Sequence, residues 1–327
     1  EWAFLLLKSD LKVAAKVYKS GSLLAIKLDD LLKGERNFEL LFEPSATRSL
    51  SRSGPSTTRD FLLLNILDNV ASRIEELRYL DGKWQRREVK APFPGALGAV
   101  GLHDPFVKDD PLANHYSMSY LDFLTPASLY LGKAGSDERE LLKRNPTFFD
   151  GTGMRTEQRF ATSKDGTQVP MFIVSKKGIE LNGKNPTIIY GYGGFNISST
   201  PSFSASLIPW LEKGGIYVVT NLRGGSEYGE KWHEAGMKLK KQNVFDDFIA
   251  GAEYLIREKY TSPAYLAASG RSNGGLLVGA AINQRPDLFA AALPGVGVMD
   301  MLRFQKFTIG WNWVADYGSS DNAEEFK

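Results

Sequence analysis

Gly270-Arg271-Ser272-Asn273-Gly274, followed by Gly275, has the spacing G-x-S-x-G. Glycines two positions either side of a serine suit a tight strand-to-helix turn, because side chains there would collide with neighbouring backbone. The strained serine then projects its hydroxyl at the N-terminus of a helix, where it can attack an acyl carbonyl. The amide of Asn273 is left to donate to the oxyanion that forms. The bare pattern also arises as a glycine-rich turn without chemistry. Here Tyr265-Leu266-Ala267-Ala268-Ser269 precedes it and Leu276-Leu277-Val278 follows, the strand and helix that the catalytic reading requires.

The elements that position this turn fall into two halves. From Glu1 to about Asp150, short apolar runs alternate with turns: Trp2–Leu7, Lys12–Tyr18, Leu23–Leu28, Phe38–Phe42, Phe61–Leu67 and Arg73–Tyr79, with one helical turn over Leu28–Leu32. Short strands at regular spacing predict a meander-built sandwich, barrel or propeller. From about Met154, strands at Thr187–Tyr190, Ile216–Asn221 and Leu266–Ser269 alternate with helices at Val244–Ile256 and Asn273–Ile282. Asn243 is the expected N-cap of the first helix, with Asp246 three residues on. Such alternation predicts a parallel sheet covered by helices. The charged stretch Lys143-Arg144-Asn145-Pro146 marks the expected boundary, giving domains over 1–145 and 146–327.

Composition narrows the classes of function. The 43% hydrophobic and 24% charged content of 327 residues suits a folded chain with room for two cores. A net charge of +2 gives no reason to expect nucleic acid or an anionic membrane as partner. Cysteine is absent, which removes disulfides, thiolate nucleophiles, zinc–cysteine sites and iron–sulfur clusters. No apolar run approaches the ~20 residues of a membrane helix. Gly191–Gly194 and Gly224-Gly225 lack the lysine and spacing of a nucleotide loop, so neither a cofactor nor a metal is expected.

Gly-Arg-Ser-Asn-Gly-Gly-Leu-Leu, followed by Asn283-Gln284-Arg285-Pro286-Asp287-Leu288-Phe289, resembles the prolyl oligopeptidase family of serine peptidases. Tyr190–Asn196, Asn221–Gly229, Ser163–Thr167 and Val298–Met301 agree with it. The resemblance is dense from about Thr162 to Gly318 and looser before. It implies the last blades of a seven-bladed β-propeller, followed by the first part of an α/β-hydrolase domain. It also implies that Tyr192, whose type and place alone suggest packing or a sheet-edge phenol, is the second oxyanion donor beside the Asn273 amide. Trp311, Trp313 and Tyr317 by themselves read as core packing. Matched to the family's W-x-x-D-Y-G, Trp313 becomes the floor of a proline pocket walled by Phe195, Val298, Tyr317 and the Asn273 side chain. A flat apolar slot suits a pyrrolidine, which brings no N–H in need of a partner.

Arg271 and Gly225-Ser226-Glu227 lean instead towards the oligopeptidase B branch, which cuts after basic residues; the aromatic pocket favours proline. An esterase on the same fold and a non-enzymatic propeller-bearing binding protein are the other readings. A serine peptidase needs a base and an orienting carboxylate, which follow the nucleophile in hydrolases of this kind. The three histidines, His103, His115 and His233, all precede Ser272, and His233 matches a position the family uses structurally. The expectation is a chain cut at both ends and nearly inactive alone, since loss of the base lowers turnover by about 10⁶. The resemblance further implies short proline-containing peptides as partners, a monomer when complete, and a cytoplasmic location, with the periplasm as alternative.

Overall fold

The computed structural model describes residues 1–92, 94–148 and 150–326; Phe93, Phe149 and Lys327, the last of these closing the expected second domain, lie outside the described residues. The chain forms two compact units divided at Arg144–Asn145. Leu121–Pro126 belongs to the second unit and Tyr228–Glu230 to the first.

Every strand pair of the first unit whose register is described is antiparallel. Trp2–Leu6, Leu23–Lys27 and Glu39–Phe42 make a three-stranded sheet. Arg48–Thr57, Leu62–Asp68, Ala71–Leu80 and Lys83–Glu88 make a four-stranded one, as do Ala96–Gly101, His115–Leu121, Ser128–Lys133 and Arg139–Arg144. In the two four-stranded sheets sequence neighbours pair in order, whereas Trp2–Leu6 pairs with Leu23–Lys27 across an intervening two-stranded hairpin; successive sheets share cores. The strand Leu62–Asp68 shows why. Leu62, Leu64 and Ile66 share a core with Leu23, Ala25, Leu41 and Phe42 of the sheet before. Leu63 points the other way, into a core with Ala99, Tyr116 and Met118 of the sheet after. A period of two thus gives each face its own neighbouring sheet, which is how propeller-like blades pack.

One local expectation changes, and one strand had carried no expectation. Lys12–Tyr18 is not one run but the hairpin Leu11–Val13 and Lys16–Tyr18, turned at Ala14 with φ +50°. The strand Arg48–Thr57 carries serines, Gly54 and Pro55 rather than an apolar alternation, and its register shifts between Leu50 and Pro55. A bulged, polar strand has no periodic signal to read.

The second unit is an α/β layer built on a six-stranded sheet. Its order is Met154–Thr162, Gln168–Lys176, Ile216–Thr220, Thr187–Tyr190, Leu266–Arg271, Ala291–Gly295. The sheet is mixed, because the Ser163–Thr167 turn closes a hairpin and so makes its first two strands antiparallel. Ile216–Thr220 runs antiparallel to the second of them, and the remaining pairs are parallel. Val244, Phe248, Ala252 and Leu255 place one apolar stripe of the helix Gln242–Arg257 on Ile173, Ile189, Val218 and Ala268. Asn243 does not cap that helix. A 3₁₀ turn at Lys238–Lys240 runs into it with Lys241 already helical, so Asn243 lies inside the first turn and donates instead to the Ala235 carbonyl.

Thr187–Tyr190 and Leu266–Arg271 are parallel neighbours, with Tyr190 opposite Ser269. The segments leaving their carboxyl ends, one carrying Tyr192 and the other Ser272, therefore emerge side by side. Ligand sites on such sheets form at this edge.

Candidate active site

Ser272 links the Leu266–Arg271 strand to the Asn273–Gln284 helix with φ +55° and ψ −116°, a backbone state that costs a non-glycine residue about 1–3 kcal/mol. The surrounding glycines are obligatory for steric reasons. A Cβ on Gly270 would stand 2.3 Å from the Gly274 carbonyl oxygen, and one on Gly274 2.5 Å from that of Gly191. Hydrogen bonds hold the turn: Ser272 N–H donates to Gly295 O at 2.9 Å, and Ser272 O accepts from the Gly275 and Leu276 amides. The side chain of Ser272 is in a residue exposed to solvent, as a nucleophile must be. The Asn273 amide belongs to the first helical turn, whose N–H groups find no partner within the helix.

The loop after Tyr190 lies beside this turn. Gly191 N–H donates to Ser269 O at 3.1 Å, continuing the ladder one residue past the strand. The Asn273 amide group donates through Nδ2 to the Tyr192 carbonyl. A Cβ on Gly194 would lie 2.6 Å from that Nδ2, so glycine is what lets the Asn273 side chain pass. Gly193, at φ +62°, offers its carbonyl to Lys241 Nζ at 2.9 Å. Tyr192 itself is half-buried. Its backbone and that of Ser272 are thus joined through Asn273.

Phe195, Val298 and Trp313 are half-buried against Leu276, Phe304 and Tyr317 in one apolar cluster. Tyr317 meets both Phe195 and Phe304 edge-on, with ring centroids 5.3 Å apart and planes at 86° in each case. Its hydroxyl donates to Asn273 Oδ1 at 3.0 Å. Burial, and then the Asp316 charge, push the Tyr317 phenol well above its ordinary range, so it stays a donor. Trp311 stays outside this cluster, 66% exposed. The floor and walls implied by the resemblance, Trp313 with Phe195, Val298, Tyr317 and Asn273, therefore come together, although they are drawn from four separate segments.

Sequence reasoning held Asp316 within the pocket motif and His233 as a structural position, but missed their pairing and Lys241. Asp316 is buried; its Oδ1 accepts from the Phe195 amide at 3.2 Å and lies 2.8 Å from His233 Nε2. Lys241 Nζ stands 3.8 Å from its other oxygen. Burial lowers Lys241 to about 8, against the opposing pull of Asp316. His233 thus has a carboxylate partner in the pocket segment. A second network braces the turn beneath Gly193. The Arg223 guanidinium binds Asp247 at 2.6 and 2.9 Å and Asp165 at 2.5 Å, and Ser163 Oγ donates to Asp247 Oδ1 at 2.6 Å. That pairing holds Asp165 down at about 2. It also explains why Ser163–Thr167 and Asn221–Gly229 carry the residues they do. Among the described residues no group of three or more His, Cys, Asp or Glu is placed to hold a metal ion.

Residues 201–327 match the model of the prolyl oligopeptidase family. A prolyl endopeptidase of Elizabethkingia miricola is 48% identical over 239 residues, which is 73% of this chain and 33% of that protein. The uncharacterized peptidase y4nA of Sinorhizobium fredii is 40% identical over 323 residues, 98% of this chain and 43% of that protein. The solved structure of a post-proline cleaving enzyme from Rickettsia typhi superposes with a TM-score of 0.86 at 34% identity, covering 100% of this chain and 46% of that one. The chain spans about a third to a half of the length of these relatives.

Proposed function

This chain belongs to the prolyl oligopeptidase family, and from that premise we propose that it carries the nucleophile and proline pocket of a serine peptidase cutting short peptides after proline. Ser272 Oγ attacks the carbonyl carbon of the proline residue itself, which becomes an ester on Ser272 as its bond to the next residue's nitrogen breaks. The base takes the serine proton and hands it to the departing amine. The Asn273 amide and the Tyr192 hydroxyl receive the charge that develops on the carbonyl oxygen. Trp313, Phe195, Val298 and Tyr317 enclose the pyrrolidine, with the Asn273 side chain closing the slot.

The observation that carries this reading is the Tyr317–Asn273 hydrogen bond, 3.0 Å long. It fastens an apolar aromatic cluster to the residue next to an exposed, strained serine. Cleavage after a basic residue would need a carboxylate facing the slot. Asp316, the acid of the pocket motif, is engaged through Oδ1 with His233 and the Phe195 amide, and its Oδ2 faces the Lys241 ammonium at 3.8 Å. An ester substrate without proline would leave the aromatic walls unused.

None of the three histidines follows Ser272, and His233 Nε2 is taken up by Asp316. In this reading the base and its carboxylate come from residues outside 1–327, and residues 1–327 alone turn over slowly. The test compares residues 1–327 with the complete reading frame that contains them, on matched peptides with proline or arginine before the cut. Cleavage after proline by the complete protein only, abolished by Ser272→Ala, supports the reading. Preference for arginine, or rapid stoichiometric phosphonylation of Ser272 in residues 1–327 alone, contradicts the corresponding part.

A further inference from the structure

Phe195 and Asn196 both occupy the left-handed region, at φ +57° and +56°, though neither is glycine. Such a backbone persists only where its surroundings over-determine it. Local bonds supply part of the restraint: Asn196 N–H donates to Gly224 O at 3.1 Å and Ile197 N–H to Gly194 O at 3.2 Å. The remainder comes from two charged side chains far away in sequence. Asp316 accepts the Phe195 amide at 3.2 Å, and Lys241 donates to the Gly193 carbonyl at 2.9 Å. The two charges also face each other at 3.8 Å, and His233 holds the carboxylate from another side at 2.8 Å. Both are anchored on separate elements: Lys241 precedes the Gln242–Arg257 helix, whereas Asp316 lies in the short helix Val314–Tyr317.

We propose that Asp316 and Lys241 are a pair of positioning residues that fix the Tyr192 hydroxyl and the Phe195 ring by gripping the strained backbone on both sides of Gly194. The proposal rests on the peptidase reading above, in which Tyr192 is an oxyanion donor. Neither side chain touches the substrate; each acts through the loop. A circuit closes around the site as a result. Asp316 holds Phe195, its chain neighbour Tyr317 holds Asn273, and Asn273 holds the Tyr192 carbonyl. Small errors in donor placement are costly, because an oxyanion donor works only within hydrogen-bond reach of the developing charge.

A double-mutant cycle on the complete protein, read by kcat and KM on a proline peptide, tests this. Asp316→Ala is expected to lower kcat about tenfold with Tyr192 present and less than about twofold in a Tyr192→Phe background, since the donor it positions is gone. Its effect on KM, exerted through Phe195, should persist in both. Asp316→Asn, which still accepts from the Phe195 amide, should restore most of kcat. Lys241→Met supplies a second cycle if Asp316→Ala folds poorly, with the same dependence on Tyr192. Equal kcat losses in both backgrounds, or no loss at all, would overturn the positioning role while leaving the peptidase reading intact. A Tyr192→Phe protein as fast as the parent would instead overturn the oxyanion assignment, and this proposal with it.

Discussion

The Tyr317 hydroxyl reaches Asn273 Oδ1 across 3.0 Å, tying the residue after Ser272 to the aromatic cluster. Asn273 is 1% exposed, so this acceptor has no access to bulk water if the phenol is lost. Tyr317→Phe keeps the ring contacts with Phe195 and Phe304 and removes only the donor. Leaving a buried acceptor unsatisfied costs about 1–3 kcal/mol. The expected result is a fall of about tenfold or more in kcat/KM for proline peptides, with the fold retained by circular dichroism. An unchanged kcat/KM would show that the bond does not matter to the site.

Gly270→Ala places a Cβ against the Gly274 carbonyl, and both partners are backbone, so neither can swing aside. Overpacking of this sort costs about 1–3 kcal/mol and here must move the elbow itself. Phosphonylation of Ser272 in the complete protein should slow by at least about 100-fold, and the melting temperature should fall. Gly153→Ala, where a Cβ would meet nothing within 4 Å, is the control and should change neither.

The Arg223 network separates buried from exposed charge. Asp247 is fully buried, and removing it leaves the Arg223 side chain, only 6% exposed, with the half-exposed Asp165 as its one remaining carboxylate partner. Asp247→Ala should therefore destabilise by about 3–5 kcal/mol in urea denaturation. Asp165 contacts the same arginine, but its side chain is 49% exposed, and Asp165→Ala should cost below about 1 kcal/mol. Equal losses would contradict the assignment of the buried, stabilising pair to Arg223 and Asp247.

Glu227 sets a stability profile with pH. Burial raises its carboxyl from 4.5 to about 7, partly offset by the Ser199 amide that donates to it. Between those values the folded chain keeps a proton that the unfolded chain has released, so stability falls as pH rises through the window. The fall amounts to about 3 kcal/mol. Glu227→Gln, which carries no such charge, should lose about that much less stability than the parent between pH 5 and pH 8. Parallel profiles for the two proteins would contradict the raised value.

Legibility followed how local the determining physics is. The Gly270–Gly274 turn was readable because one steep local backbone constraint dictates its residue types. The Lys12–Tyr18 run and the Asn243 cap were misread for the same reason, as local rules overridden by a turn at Ala14 and by the helical Lys241. Arg48–Thr57 was invisible because both its bulge and its polar residues hide the period. Phe195, Val298 and Trp313 gave no sign of proximity in their own segments and entered only through the family resemblance. Asp316 was legible as a residue of the pocket motif, yet its partners His233 and Lys241, 83 and 75 positions earlier in the chain, depend on tertiary packing alone.

The role of Ser272 is tested most directly by mass spectrometry of the complete protein treated with a serine phosphonylating reagent while post-proline cleavage is followed. A single adduct on Ser272, growing in step with the loss of cleavage and slowed by a proline-containing competitor, is the predicted result. An adduct on another residue, or cleavage that survives in Ser272→Ala, would contradict it.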